Sequence, residues 1–105
     1  MHVIADICVI PMGVGASVSE YVTVAHRILK EANLNAQLHA YGTNVEGDFE
    51  AVMAALKRVH EELHRMGVPR ISTSIRLGTR IDKPQRMADK VRAVEERLAG
   101  DGSPS

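Results

Sequence analysis

A long alternating run near the C-terminal end constrains the fold of this chain most. Twelve consecutive positions, 71–82, place apolar or threonine side chains on one face and polar side chains or glycine on the other. The more apolar face comprises Ile71, Thr73, Ile75, Leu77, Thr79 and Ile81. Alternation with a period of two is the pattern of a strand whose two faces meet different surroundings. The sequence therefore predicts one long strand over Arg70–Asp82.

The beginning of the chain combines a strand pattern with a helix pattern. His2–Pro11 is rich in β-branched residues and is largely apolar on both of its faces. After a glycine-containing turn, Ser17 and Glu20 have the spacing of a capping box, which satisfies backbone N–H groups at a helix start. We therefore expect a first strand over His2–Pro11 and a first helix that starts at Ser17 and stops near Asn33.

The rest of the chain predicts a hairpin and two more helices. Alternation over residues 36–41 and a β-rich segment at 43–46, joined by a glycine, indicate two short strands. The next helix has Asp48 as its N-cap and Gly67 at its end, and the last helix has Pro84 in its first turn. The order β-α-β-β-α-β-α predicts an α+β fold, the ferredoxin-like split βαβ sandwich (β-α-β-β-α-β) with an additional C-terminal helix.

Length, charge and aromatic content narrow the functional classes. The 105 residues fit one domain, expected over residues 1–99, with residues 100–105 (GDGSPS) as a disordered tail that offers nothing to bury. Thirteen basic and 13 acidic residues give a formal net charge of zero, which argues against nucleic-acid or acidic-membrane partners. One Phe, two Tyr and no Trp are too few for a base-stacking platform.

The N-terminal segment contains no export or membrane signal. Asp6 interrupts the apolar run that starts at Val3, and no Lys or Arg precedes that run. The single cysteine, Cys8, cannot form an intramolecular disulfide, and its mid-strand position is typical of an inert core residue. We therefore expect a cytoplasmic protein.

Two features predict that one copy of the chain is incomplete. The first strand is apolar on both faces, although helices cover only one face of a ferredoxin-like sheet. The last helix has a narrow apolar seam at Met87, Val91, Val94 and Leu98 that needs a partner surface. Either this helix folds back over the open face of its own sheet, or copies of the chain associate. We favour a homo-oligomer.

Enzyme-like motifs are present but incomplete. HEELH at residues 60–64 matches the H-E-x-x-H pattern, in which two histidines hold zinc and the glutamate activates water. No histidine follows His64 to supply a third ligand, and both histidines lie at the edge of an apolar stripe. GVG at residues 13–15 lacks the third glycine and the lysine of phosphate-binding loops, so a plain turn explains it better. We predict no catalytic residue, no metal and no cofactor.

Small polar groups at the ends of elements are the more informative set. They lie at the start of the first helix and on the second strand of the hairpin, two places that can approach one another in this fold. The candidate ligand-binding residues are Ser17, Ser19, Thr43, Asn44 and Glu46. Hydroxyl and amide groups can hydrogen-bond ring nitrogens, and a carboxylate accepts from an amino group, which suits a small polar heterocycle. Capping and turn formation are the alternative explanation.

Five segments together resemble one known family. The segments are PMG at residues 11–13, SVSEYV at 17–22, GTNVEG at 42–47, GVPRI at 67–71 and IRL at 75–77. In this order and at these distances they are similar to the thiamine-binding protein family, over roughly residues 3–95. The resemblance implies a ferredoxin-like subunit that assembles into dimers and tetramers and binds thiamine or its hydroxymethylpyrimidine moiety without turning it over. The chain departs from the family just before Arg80. Family members usually have one or two acidic residues there, whereas this chain has Gly78 and Thr79.

Three functional hypotheses follow. The first is non-enzymatic binding of thiamine or hydroxymethylpyrimidine, in salvage, storage or delivery, by a homo-oligomer that is a dimer of dimers. The second is an oligomeric regulatory or adaptor domain that acts through a protein partner. The third is an enzyme that uses the histidines to hold a metal. We expect the first, with the pocket between the start of the first helix and the hairpin.

Overall fold

The computed structural model describes residues 1–15 and 18–101, in which four strands and three helices follow one another in the predicted order. The elements are β1 (His2–Met12), α1 (Ser19–Glu31), β2 (Asn35–His39), β3 (Gly42–Asp48), α2 (Phe49–Arg65), β4 (Arg70–Gly78) and α3 (Met87–Asp101). The strands form one antiparallel sheet with the order β2-β3-β1-β4. The predicted ferredoxin-like α+β fold with an additional C-terminal helix is thus confirmed.

One face of the sheet packs against α1 and α2 and contains the core. Val3, Ala5 and Ile7 alternate along β1, and each is at most 2% exposed. They form one apolar cluster with Leu29 of α1 and Val59 of α2. Because successive side chains of a strand point to opposite faces, the even-numbered residues of β1 lie on the other, open face. That face carries the largest share of the polar side chains discussed below, Asp6, Asn44 and Glu46 among them.

Both ends of α2 agree with the sequence prediction. Asp48 is the N-cap, and its carboxylate accepts a hydrogen bond from the Glu50 N–H at 3.2 Å. At the other end Gly67 adopts a φ of +100°, which favours glycine. The N–H of Gly67 bonds to the His64 carbonyl, and that of Val68 bonds to the Leu63 carbonyl. This pair of bonds is a Schellman motif.

The start of α1 differs from the predicted start at Ser17. The helix begins at Ser19, and its N-cap is Val18, which makes no side-chain capping bond. Ser17, the predicted start, lies outside the described residues. The end of the helix agrees with the prediction, because Asn33 adopts a φ of +59° just beyond the C-cap.

β4 is shorter than the predicted strand over Arg70–Asp82 and ends at Gly78. The register explains the difference: Gly78 pairs with Ile4, so only the first residues of β1 remain beyond this point. A strand can continue only while a neighbour offers backbone hydrogen bonds. Ile81, which alternation placed in the strand, is 95% exposed.

α3 begins at Met87, later than the position of Pro84 suggested. The N–H of Arg86, just before the helix, donates to the Asp89 carboxylate at 2.9 Å, and this bond marks the helix start. The helix continues to Asp101, two residues into the stretch predicted as a tail, and residues 102–105 lie outside the described part. No helix within residues 1–15 and 18–101 combines the length and apolar character of a membrane span.

α3 does not fold back over the open face. Of its apolar seam only Met87 is buried, at 7% exposure. Val91, Val94 and Leu98 are 57%, 57% and 64% exposed. The molecule measures 57 × 31 × 19 Å, and its radius of gyration of 16.4 Å exceeds the roughly 13 Å of a compact chain of this size. The intrachain explanation for the seam is therefore wrong.

Candidate functional site

A cavity of about 720 Å³ lies on the open face of the sheet, beside the first turns of α3. All four strands and α3 contribute to its walls. The side chains that determine its chemistry are Asp6, Gln37, Asn44, Arg76, Arg80 and Lys90. A cavity of this volume is within the range of small-molecule sites.

Four polar residues form one row across the floor of this cavity. The register places Gln37 opposite Asn44, Asn44 opposite Asp6, and Asp6 opposite Arg76. Residues that are directly opposite in neighbouring strands share a face of the sheet. The row, called the polar row below, therefore crosses all four strands and changes from amides through a carboxylate to a guanidinium.

A histidine orients the carboxylate of the polar row. Nε2 of His39 lies 2.6 Å from Oδ1 of Asp6, and the backbone N–H of Tyr41 donates to Nδ1 of His39 at 3.2 Å. Because Nδ1 accepts this hydrogen bond, the ring proton lies on Nε2, and Nε2 donates to Asp6. Asp6 remains 43% exposed at its side chain, so its second oxygen is available to a ligand.

Glu46 lies next to this row but does not open into the cavity. Its side chain is 3% exposed. Oε1 accepts a hydrogen bond from Nδ2 of Asn35 at 2.8 Å, and Oε2 accepts one from the backbone N–H of Met87 at 2.8 Å. His2 brings Nε2 to 3.5 Å from Oε2. Both carboxylate oxygens thus have partners within the chain, and one of them holds the start of α3.

The pKa of Glu46 reflects two opposing effects. Burial raises the pKa of this carboxyl, but the hydrogen bonds from Asn35 and Met87, with electrostatic contributions from His2 and Arg86, outweigh burial and leave the pKa below its ordinary value. Glu46 is therefore ionised in the folded protein at neutral pH.

The basic side of the cavity has three cationic side chains, of which one is hydrogen-bonded within the chain and two are not. The Arg80 Nε donates to Asp82 at 2.7 Å, and its Nη1 donates to Gln85 at 2.6 Å. This pairing raises the pKa of Arg80. Within residues 1–15 and 18–101, the side chains of Arg76 and Lys90 make no hydrogen bond or ion pair. Two positive charges on this side are thus available to a ligand.

The structure does not bring the predicted site residues into one pocket. Ser19 is exposed in the first turn of α1, where its carbonyl accepts from Thr23 at 2.7 Å. Thr43 is buried on the helix-covered face, with its hydroxyl 3.3 Å from Nδ1 of His26. Asn44 and Glu46 lie on the open face, because they alternate with Thr43 along β3. Of the four candidates within the described residues only Asn44 lines the cavity, and the fifth, Ser17, is outside them.

The histidines of the HEELH string are explained by contacts within the chain. Nε2 of His60 lies 2.6 Å from the Thr73 hydroxyl, and Nδ1 of His64 donates to the Val68 carbonyl at 2.7 Å. The described part of the chain contains no cluster of three His, Cys, Asp or Glu side chains able to hold a metal ion. These histidines connect α2 to β4 and to the loop before it.

The comparison with known families agrees with the sequence resemblance. The model of the thiamine-binding protein family matches residues 5–95. The chain belongs to this family. A UPF0045 protein from Synechocystis is 54% identical over 95 residues, which cover 90% of this chain and 78% of that protein.

Solved structures of similar proteins share the fold of this family member. A protein of Methanocaldococcus jannaschii, 35% identical, superposes with a TM-score of 0.84 over 90% of this chain and 97% of that one. A Thermotoga maritima protein with a provisional assignment to thiamine biosynthesis or salvage superposes with a TM-score of 0.77, over 90% of this chain and 99% of that one. At 19% identity the latter shows the common fold only. The family is described as a thiamine-binding protein, and this description places the chain in a thiamine-related group.

Proposed function

We propose that this protein binds thiamine or its hydroxymethylpyrimidine moiety in the open-face cavity without turning it over, for salvage, storage or delivery in the cytoplasm. The observation that carries the proposal is the polar row, which places a carboxylate between amides and a guanidinium on the floor of a cavity of ligand size. The family to which the chain belongs supports the identity of the ligand.

The chemistry of an aminopyrimidine suits the amide and carboxylate part of the polar row. Its amino group donates hydrogen bonds, and its ring nitrogens accept them. The free oxygen of Asp6 accepts from the amino group, and the amides of Asn44 and Gln37 serve the ring nitrogens. In this proposal Asp6 takes the role that the sequence suggested for Glu46, and Glu46 acts indirectly by holding α3 at the cavity wall.

We further propose that copies of the chain associate, as a dimer of dimers. The support is the stripe formed by Val91, Val94 and Leu98, which is more than half exposed on α3. Ile10, on the open face of β1, is also 47% exposed. Apolar area of this extent on a small domain favours burial against a second copy.

Isothermal titration calorimetry with thiamine and with hydroxymethylpyrimidine tests the ligand. Asp6→Asn retains an oxygen that accepts from His39 but removes the charge, so we expect the affinity for both compounds to fall about tenfold or more. Glu31→Gln, an exposed change on α1, is the matched control and should bind as the wild type does. If the wild type binds neither compound, the proposal fails and the adaptor hypothesis takes first place.

A further inference from the structure

Charged side chains are unevenly distributed around the cavity, and the proposed pyrimidine contacts only one side of it. Among the described residues that line it, Asp6 is the one carboxylate, and His39 already donates to it. Arg76, Arg80 and Lys90 are cations. Gln37 and Asn44, at the other end of the polar row, are neutral. One end of the cavity thus suits a polar ring, and the other end suits negative charge.

The cations come from separate elements that the fold holds in place. Arg76 extends from β4 opposite Asp6, in the antiparallel ladder with β1. Lys90 is in the first turn of α3, whose start is held by the Glu46 bond to Met87. Because Arg80 is already bonded to Asp82 and Gln85, its charge is largely compensated. The positive potential therefore comes mainly from Arg76 and Lys90.

We infer that this cavity binds the phosphate ester of its pyrimidine-containing ligand, with Arg76 and Lys90 on the phosphate. Arginine and lysine are the side chains that proteins use for phosphate, since both form charge-assisted hydrogen bonds to its oxygens. Free thiamine carries a positive thiazolium ring and gains nothing from two cations, whereas a phosphate ester supplies the missing negative charge. The inference rests on the proposed function and adds the chemical class of the ligand.

Calorimetry with matched pairs of compounds tests this inference. The pairs are hydroxymethylpyrimidine with its monophosphate, and thiamine with thiamine monophosphate. We expect each phosphate ester to bind the wild type at least about tenfold more tightly than its parent compound. Because exposed charges are screened by salt, that advantage should shrink when sodium chloride is raised from about 0.05 M to about 0.5 M.

Substitution of Arg76 and Lys90 distinguishes direct contact with the phosphate from an effect of the overall charge of the protein. In Arg76→Gln/Lys90→Gln we expect the preference for the phosphate esters to disappear, and circular dichroism with thermal unfolding checks that the fold is intact. The control is Lys30→Gln/Lys57→Gln, which removes two exposed lysines from α1 and α2 on the other side of the sheet. It should retain the preference.

Three outcomes would overturn the inference. Equal binding of ester and parent by the wild type would reject the phosphate while leaving the proposed function standing. An equal loss of preference in the control variant would attribute the effect to net charge alone. No binding of any of the four compounds would reject the inference together with the proposed function.

Discussion

The Glu46 carboxylate accepts a hydrogen bond from the backbone N–H of Met87, 41 residues further along the chain, at 2.8 Å. This bond joins the sheet to the first residue of α3. The same carboxylate accepts from Asn35 on the neighbouring strand. A buried charge thus sets the position of the helix that walls the cavity, and removal of that charge should affect stability before it affects binding.

Glu46→Gln should lower the free energy of unfolding by about 1 to 3 kcal/mol. A glutamine has one oxygen and one NH2 group, so either Asn35 or Met87 loses its acceptor and faces a donor. Urea denaturation followed by circular dichroism measures the change. Glu95→Gln, on the exposed part of α3, is the control and should lie within about 0.5 kcal/mol of the wild type. An unchanged midpoint in Glu46→Gln would contradict the structural role.

The stability of the wild type should depend on Glu46 ionisation in acid. The folded protein holds the pKa of this carboxyl below its ordinary value of 4.5. A lowered folded pKa contributes stability that is complete above the unfolded pKa and is lost as the pH falls through the folded pKa. The free energy of unfolding should therefore decline below about pH 4.5, and less steeply in Glu46→Gln.

Other carboxyl groups contribute to the same acid region, so the difference between the two proteins is the quantity to compare. Asp48, Glu62 and Asp82 also have lowered pKa values, through hydrogen bonds to the N-terminal amine, to Arg65 and to Arg80 respectively. Their contributions are common to both proteins. If the free energy of unfolding varies with pH in parallel for the wild type and Glu46→Gln between about pH 3 and pH 6, Glu46 adds nothing to the acid sensitivity.

Val91→Glu should reduce the mass of the particle in solution. The side chain is 57% exposed on the apolar stripe of α3, and a charge there would be buried without a partner in any interface that uses the stripe. Light scattering coupled to size exclusion measures the mass. Ala93→Glu adds the same charge at another exposed position of α3 and should leave the mass unchanged. A wild type that measures 11.5 kDa, the mass of one chain, would rule out association.

His64→Ala and His60→Ala should leave ligand binding unchanged. Each loses one hydrogen bond, to the Val68 carbonyl or to the Thr73 hydroxyl, so we expect a loss of stability of about 1 kcal/mol each. Calorimetry and thermal unfolding on the same samples separate the two effects. Abolished ligand binding with an intact fold in His64→Ala would reopen the metal hypothesis.

Local patterns in the sequence were sufficient for the elements of this fold. Apolar periodicity and the caps Asp48 and Gly67 describe α2 correctly, since these signals lie within one element. The end of β4 could not be predicted. The strand stops at Gly78 because the residue opposite, Ile4, lies close to the beginning of β1. A strand boundary of this kind depends on the neighbouring strand and leaves no local signal.

The candidate site was predictable only in part for the same reason. Asn44 was found from its polar character on the hairpin, but the polar row depends on the register of four strands. Asp6 was noticed only as an interruption of an apolar run, and that interruption was the available signal for a polar side chain on the cavity floor. Glu46 was predicted to contact the ligand directly, but the sequence could not show that Met87, far along the chain, would donate to one of its oxygens.

The end of β4 at Gly78 separates two kinds of structural support in this molecule. Up to Gly78 the cavity is bounded by strands whose positions are fixed by backbone hydrogen bonds to their neighbours. Beyond it, the wall from Thr79 to Gln85 is shaped by the side-chain bonds of Arg80 to Asp82 and Gln85. A few substitutions in that short segment can therefore reshape one wall of the cavity while the sheet stays as it is.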